Sequence, residues 1–272
     1  MKALIGTVVV IGQSDRVDEA AAALDELSET SGLRVILISQ GTKTQAKADE
    51  QDTTIRIDDL SPDYVDNAVA WLRLSSMPAT IWWRGGFPHT LDRLATLADR
   101  LVLDTEPADQ AWAQAPELFA RTALTDLRWS GLTRWRAAIA HMCDLPHVEE
   151  CARTCRRLDI EASDRAAARL FAGWLKGSLR WTHEVTIAIT NAPEGASTPL
   201  TRVRLRGNGP VLTLQVLGDR NCLEADISEG GGSRVVPLGD GSLASRFAEE
   251  LGVRTRDTAF ERALVSAMEI GV

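Results

Sequence analysis

The first part of the chain alternates between two sequence patterns. Apolar runs typical of buried strands lie at roughly 3–11, 33–39, 53–58, 79–83 and 100–104. Between several of them apolar residues recur at helical spacing, as in the segments that follow Ser14 or Asp15 and Ser61-Pro62. The polar segment 40–52 is compatible with a loop or a frayed helix. Buried strands alternating with helices indicate a mostly parallel sheet covered by helices, so we predict an α/β domain over residues 1–124.

After about residue 125 the pattern changes. Helical patterns lie near 133–143 and 163–179, short alternating runs follow at 184–190, 201–206, 211–217, 222–228 and 233–238, and two helical patterns close the chain. Loops with glycine and proline separate the short runs, which is typical of an antiparallel meander. Gly230-Gly231-Gly232 is expected to be a flexible turn between two of them. We therefore predict an α+β domain with an antiparallel sheet over residues 125–272.

Two of the late strands carry charged rows. Arg202, Arg204 and Arg206 share one face of the first, and Glu224 and Asp226 share one face of the second. If one strand lies between them, the rows are about 10 Å apart, and long side chains could reach across it. Two interpretations stay open: a solvated, loosely paired outer face, or a basic row for an acidic partner or a phosphorylated ligand.

Tryptophan is unusually frequent, with eight residues against five Phe and one Tyr. An exposed indole is costly without a partner, so clustered indoles are candidates for a binding surface. The candidate partner-binding residues lie in two short segments and are Trp82, Trp83, Arg84, Trp129, Trp135 and Arg136.

The first of these segments, with Trp82 and Trp83, ends a strand at the edge where open α/β sheets usually bind ligands. The two indoles should point to opposite faces of that strand. Either helices bury both of them, or one is buried while the other faces a groove or a partner. For the second arrangement, we favour Trp82 pointing into the core and Trp83 pointing outward. For Trp129 and Trp135 a core position is favoured.

Composition excludes some functions. A net charge of −8 argues against nonspecific nucleic-acid binding and against docking on anionic membranes. The apolar start is too short to span a bilayer, and no cleavage pattern follows it. The sequence therefore predicts a cytoplasmic protein without nucleic-acid or membrane partners.

No catalytic motif is found. Gly12-Gln13-Ser14-Asp15 stands where a dinucleotide fold would carry three spaced glycines, and Asp15 lies where phosphates would dock. A Walker loop and a nucleophile elbow are also missing from the sequence. The four histidines show no metal-binding spacing. We expect no catalytic residue, no cofactor and no metal, and hence a protein that is not an enzyme.

Cys151 and Cys155 are four residues apart and would share a face if both were helical. In a reducing compartment they are expected to be packing thiols. The alternative is a redox switch formed by this pair.

Four segments carry a family resemblance. They are Arg34-Val35-Ile36, the strand from Pro78 to Gly85, the run Asp126-Leu127-Arg128-Trp129-Ser130-Gly131-Leu132-Thr133-Arg134-Trp135-Arg136, and Leu170-Phe171-Ala172-Gly173-Trp174-Leu175. In this order and approximate spacing they resemble the glucose-6-phosphate dehydrogenase assembly protein (OpcA) family. The first strand begins close to residue 1, so we expect this chain to lack the helical segment that many members carry upstream.

The resemblance implies a function in bacteria. It implies a non-catalytic assembly factor and allosteric activator that binds glucose-6-phosphate dehydrogenase and promotes its active oligomer in the oxidative pentose phosphate pathway. It also implies thioredoxin as a partner of members from photosynthetic bacteria. The alternative hypothesis is a ligand-binding module that senses a sugar phosphate at the Trp83-Arg84-Gly85-Gly86 edge.

Overall fold

The structure of the chain is a computed structural model. It describes residues 5–28, 32–44, 48–51, 53–86, 90–218, 221–228, 232–253 and 255–270. The predicted start of the first strand at residue 3 and the predicted turn at Gly230-Gly231 lie outside these residues.

The chain forms two compact units. The first comprises Met1–Leu127 and Ser242–Asp257, and the second comprises Arg128–Gly241 and Thr258–Val272. The predicted domain boundary near residue 125 stays a prediction. It differs from the two units mainly in the segment Ser242–Asp257, which the sequence pattern placed with the second half.

The first unit contains a mostly parallel sheet, as predicted. Its strands are β1 Gly6–Gly12, β2 Leu33–Lys43, β3 Ala48–Gln51, β4 Thr54–Leu60, β5 Ala79–Trp83, β6 Arg100–Leu103 and β7 Ala123–Asp126. Their order in the sheet is β3-β4-β2-β1-β5-β6-β7. The described neighbours pair in parallel, except that β3 runs antiparallel to β4. Every residue of β1 is buried, because helices cover both faces of the sheet centre.

Helices occur in both units. In chain order they are α1 Ser14–Ser28, α2 Val65–Leu72, α3 Leu91–Ala95, α4 Asp109–Trp112, α5 Ala115–Leu118, α6 Leu127–Gly131, α7 Thr133–Met142, α8 Pro146–Arg153, α9 Arg165–Ser178, α10 Leu243–Gly252 and α11 Thr258–Glu269. A 3-10 turn at Pro62–Tyr64 precedes α2, with Pro62 at the first helical position as predicted. None of the described helices is both long and apolar enough to cross a membrane.

The second unit contains a mostly antiparallel sheet, which confirms the predicted fold class. Its strands are β8 Arg157–Ala162, β9 Thr186–Asn191, β10 Leu200–Arg206, β11 Leu212–Leu217, β12 Cys222–Ile227 and β13 Gly232–Pro237. They lie in the order β13-β12-β11-β10-β8-β9, and of the described pairs only β8 with β9 is parallel. Strand β8 was not predicted, although its residues alternate between polar and apolar.

Helices α9 and α11 pack closely in the second unit. Asp164 begins α9 by accepting a hydrogen bond from the backbone N–H of Ala167. Gly173 then allows the approach, because a Cβ at that position would overlap the backbone of Ala263 and Ala267 on α11. The glycine of the Leu170–Leu175 segment therefore has a packing role.

Candidate functional site

The first candidate segment ends β5, a central strand of the first unit. Trp82 and Trp83 point to opposite faces of the sheet, and they are 0% and 1% exposed. Trp82 stacks on Phe247 of α10 at 4.0 Å between ring centroids and an interplanar angle of 11°. The preference for an outward-facing Trp83 is therefore wrong. Both faces of a central strand are covered here, so both indoles belong to the core.

Arg84 follows the strand and is also buried, with 4% of its surface exposed. Its Nε donates to Asp104 Oδ2 at 2.7 Å, its Nη1 to the carbonyl of Arg16 at 2.6 Å, and its Nη2 to Glu19 Oε2 at 2.9 Å. The guanidinium carbon also lies 4.9 Å from the ring centroid of Trp82. These contacts tie the end of β5 to α1 and to the loop after β6. In this arrangement Arg84 is a structural cation.

A cleft opens at this edge of the sheet. Its volume is about 610 Å³, and it lies where β1, β2, β5 and β6 end. Gly85 and Gly86 form part of its wall with φ angles of 105° and 120°, which side chains other than glycine rarely adopt. The predicted location of a ligand edge thus coincides with a cavity, although the indoles beside it are buried.

The charges around the cleft are largely paired. Arg16 lies 3.3 Å from Asp104 Oδ1, and the same carboxylate accepts from Arg84. Asp15 and Glu106 line the cleft and have no ion pair or side-chain hydrogen bond among the described residues. The described part of the wall therefore carries surplus negative charge.

The second candidate segment forms the core of the second unit. Trp129 is 3% exposed and meets Phe260 edge to face, with the ring centroids 5.7 Å apart. The guanidinium carbon of Arg136 lies 3.4 Å above the ring of Trp129. Trp135 is buried against Phe171 of α9, with the centroids 6.3 Å apart. The favoured core position of Trp129 and Trp135 is confirmed.

The acid that begins this segment also has a structural contact. Asp126 is fully buried at the end of β7 and accepts a hydrogen bond from Trp112 Nε1 at 2.8 Å. Two residues on, Arg128 Nε donates to Asp164 Oδ2 at 2.7 Å, the carboxylate that begins α9. The run shared with the resembled family thus supplies packing, one buried hydrogen bond and one partly buried ion pair.

The candidate redox cysteines are both buried. Cys151 lies on α8, but that helix ends at Arg153, so Cys155 does not continue its face as the four-residue spacing suggested. Neither cysteine forms a disulfide. Burial raises the pKa of the Cys155 thiol, which disfavours the thiolate that disulfide exchange requires. The redox function of Cys151 and Cys155 stays a prediction, and the burial of both thiols disfavours it.

The two charged rows of the second sheet are separated by one strand, because β11 lies between β10 and β12. The arginines, however, pair on their other side, with acids of the unpredicted strand β8. Arg202 lies 3.5 Å from Glu161, and Arg206 lies 3.5 Å from Asp159. This is a polar outer face whose charges are mostly balanced within the sheet.

One tryptophan of the described chain is strongly exposed, and it is not among the candidate residues predicted from the sequence. Trp71 is 84% exposed on α2, and Tyr64, seven residues earlier, is 42% exposed. The inner face of α2 consists of Val65, Val69 and Leu72, as predicted. A helical wheel drawn from those three residues places Trp71 and Tyr64 together on the outer side. This helical spacing in the sequence could have identified Trp71 and Tyr64 as exposed aromatic residues.

Among the described residues, no group of three His, Cys, Asp or Glu side chains is placed to hold a metal ion. Of the four histidines, this statement covers His141, His147 and His183, because His89 lies outside the described residues.

Comparison with solved structures concerns the fold alone. An oxidoreductase from Sinorhizobium meliloti aligns with a TM-score of 0.50 and 12% sequence identity, over 98% of this chain and 89% of that one. The alignment is consistent with an α/β sheet followed by an α+β part.

Sequence comparison identifies the family. The OpcA protein of Synechocystis sp., described as a putative OxPP cycle protein, is 26% identical over 128 residues, which is 43% of this chain and 27% of that protein. The OpcA protein of Nostoc punctiforme is 29% identical over 119 residues, 40% of this chain and 26% of that protein. The chain thus matches about a quarter of the length of these relatives. The family model for the C-terminal domain of the glucose-6-phosphate dehydrogenase subunit OpcA matches residues 122–264, more than half of the chain, and the chain therefore belongs to the OpcA family.

Proposed function

We propose that this protein is a non-catalytic partner of glucose-6-phosphate dehydrogenase in the oxidative pentose phosphate pathway. It binds the enzyme in the cytoplasm, favours its active oligomer and raises its activity. The observation that carries the proposal is the match of residues 122–264 to a family described as a subunit of that dehydrogenase. The relatives described as OxPP cycle proteins support the same pathway.

Activation by binding has a simple physical form. The protein must bind the active conformation or oligomer of the dehydrogenase more tightly than the other state. A difference of about 1–3 kcal/mol in binding free energy changes an affinity roughly five- to 150-fold. No chemical step by the partner is needed.

Trp71 is the contact that we propose on the first unit. Its indole is 84% exposed and Tyr64 on the same side of the helix is 42% exposed. Exposed tryptophan and tyrosine side chains are the residues most often found to dominate binding energy at protein interfaces. The six residues predicted from the sequence, Trp82, Trp83, Arg84, Trp129, Trp135 and Arg136, enter the proposal as the framework beneath the binding surfaces.

The alternative, sensing of a sugar phosphate at the end of β5, has weaker support. Three hydrogen bonds occupy the guanidinium of Arg84, and Asp15 and Glu106 place negative charge in the cleft. A phosphate would meet repulsion there.

The test combines sedimentation with enzyme kinetics. The purified protein is mixed with the dehydrogenase of the same organism, and we expect a faster-sedimenting complex together with a lower KM or a higher kcat. Unchanged sedimentation and unchanged kinetics at saturating protein would reject the proposal. Turnover of glucose 6-phosphate by the protein alone would reject its non-catalytic part.

The contact at Trp71 is tested by Trp71→Ala. We expect the complex to weaken by about 2 kcal/mol or more, which is about 30-fold in Kd, without a change in Tm. Ile5→Ala is the matched control and should bind as before, because Ile5 is an exposed apolar residue of the same unit at 62% exposure. Equal affinities of Trp71→Ala and the unchanged protein would place the contact elsewhere.

A further inference from the structure

The cleft at the end of β5 has the size and the place of a small-molecule site. Its volume of about 610 Å³ falls in the range of ligand pockets. It lies within the first unit at the carboxyl ends of parallel strands, the edge where open α/β sheets bind ligands. The charges and hydrogen-bonding groups of its wall determine which class of ligand it can bind.

The two arginines among the described lining residues are already neutralised. Arg84 is bound by Asp104 and Glu19, and Arg16 by Asp104. Two arginines therefore face two carboxylates, and the described wall of the cleft offers no surplus positive charge to an anionic ligand. Arg84 is also only 4% exposed and holds the strand end in place, so its side chain is not available to move toward a phosphate.

Two carboxylates at the cleft remain unpaired. Asp15 in the first turn of α1 and Glu106 in the loop after β6 line the cleft, and neither has a side-chain partner among the described residues. Asp15 lies where a dinucleotide fold would place the pyrophosphate. The described wall of the cleft therefore carries net negative charge, which disfavours phosphates and dinucleotides.

Neutral polar groups at the wall lack partners as well. Both amide atoms of Gln40, Oε1 and Nε2, and the indole N–H of Trp83 are buried without a hydrogen bond in the described part of the chain. Both residues line the cleft. The Gln40 amide lies against Gly86, where a Cβ would overlap it. Buried polar groups of this kind usually have a partner, and each unsatisfied one costs free energy.

The unpartnered groups define the ligand by elimination. Gln40 Nε2 and the indole N–H of Trp83 are donors that need an acceptor. Gln40 Oε1 and the two carboxylates are acceptors that need a donor. An ammonium ion supplies only donors, and a phosphate supplies acceptors together with the wrong charge. A hydroxyl group supplies both. We propose that this cleft binds an uncharged polyhydroxylated molecule, an unphosphorylated sugar or polyol. This proposal does not depend on the binding of the dehydrogenase.

The first test is direct binding without the dehydrogenase. Saturation-transfer NMR is recorded on the full chain with a panel of uncharged probes, namely glucose, galactose, ribose, sorbitol and glycerol. Titrations then compare each binder with its phosphate ester. We expect at least one uncharged probe to bind, and to bind about tenfold or more tightly than its phosphate. Absence of binding by the whole panel, or tighter binding of a phosphate, would overturn the proposal.

The second test replaces the amide. Gln40→Leu keeps the approximate size of the side chain but removes its donor and acceptor, so we expect binding of the uncharged probe to weaken about tenfold. Because two unsatisfied buried atoms are also removed, Tm should stay level or rise. Gln114→Leu, in the same unit but outside the cleft, is the control and should bind as before. Equal binding by Gln40→Leu and the unchanged protein counts against the site.

The third test concerns charge. Asp15 and Glu106 are both exposed, so Asp15→Asn with Glu106→Gln should fold normally. This double variant should reduce the preference for the uncharged probe over its phosphate by about tenfold, because the repelling charges are gone. An unchanged preference would show that these carboxylates do not select the ligand, and would overturn that part of the proposal.

Discussion

At the scale of single residues, Arg84 shows how a candidate contact residue can be a structural one. The sequence places it beside two tryptophans at a strand end, where an exposed cation would suit an acidic partner. The structure buries it and surrounds it with Asp104, Glu19 and the carbonyl of Arg16. Sequence alone could not predict this, because Asp104 and Glu19 are 20 and 65 residues away in the chain.

Replacing Arg84 should therefore reduce stability strongly. Arg84→Met removes the hydrogen bonds to Asp104, Glu19 and the carbonyl of Arg16. Because Asp104 keeps Arg16 and Glu19 is partly exposed, we expect the free energy of unfolding to fall by about 2–3 kcal/mol. Arg56→Met is the matched control, since Arg56 pairs with Asp18 at 2.7 Å and with Asp58 at 3.0 Å, but all three side chains are partly exposed. Each of these pairs should contribute less than about 1 kcal/mol. Urea denaturation measures both, and equal losses would contradict a structural role for Arg84.

At the scale of secondary-structure elements, the contact of α9 with α11 depends on one glycine. Gly173 lies in the middle of α9, where glycine lowers intrinsic helix stability by about 1 kcal/mol relative to alanine. It is nevertheless required, because a Cβ there would overlap backbone atoms of α11. Gly177, one turn later on the same helix, has no described atom within 4 Å of a built Cβ.

The two glycines should respond in opposite directions. Gly173→Ala forces the helices apart, and we expect a loss of about 1–3 kcal/mol in stability despite the better helix propensity of alanine. Gly177→Ala meets no neighbour in the described structure and should stabilise the chain by up to about 1 kcal/mol. Thermal unfolding followed by circular dichroism compares them. Stabilisation by both substitutions would mean that α9 and α11 are not in close contact.

Most elements could be predicted because their signals are local. The strands β1, β2, β4, β5 and β6 are apolar runs, and the polar strand β3 and the four-residue strand β7 lack that signal. Strand β8 does alternate and could have been found. The exposure of the tryptophans could not have been predicted, because a strand pattern assigns side chains to faces but does not say which faces helices cover. The location of the cleft was predictable from the strand end alone.

At the scale of the whole molecule, the two units are interleaved along the chain. The first unit is completed by Ser242–Asp257, which follows most of the second unit in sequence. Within the first unit, Phe247 of α10 covers Trp82, and Glu250 of the same helix lies 3.4 Å from Arg100 of β6. No local sequence pattern indicates these contacts. The stability of the first unit therefore depends on a helix from the distant end of the chain, and Glu250 makes that dependence sensitive to pH.

Burial raises the pKa of Glu250 to about 7 from its ordinary value of 4.5, against the opposing effect of Arg100. The groups that act on it by charge are Arg100, Glu249 and Asp257. In the folded state the carboxyl then keeps a proton that the unfolded chain releases above pH 4.5. Its contribution to stability is full below pH 4.5 and is lost as the pH rises through about 7.

We therefore expect the first unit to lose stability between pH 4.5 and about 7, by at most about 3 kcal/mol from this group. Other groups titrate over the same interval, so the measurement is a difference between two proteins. Glu250→Gln stays neutral at every pH, and its urea unfolding curves should show a flatter pH dependence than those of the unchanged chain. The free energy lost between pH 5 and pH 8 should be larger in the unchanged chain. If both proteins lose the same amount, Glu250 is ionised throughout and its ion pair with Arg100 outweighs its burial.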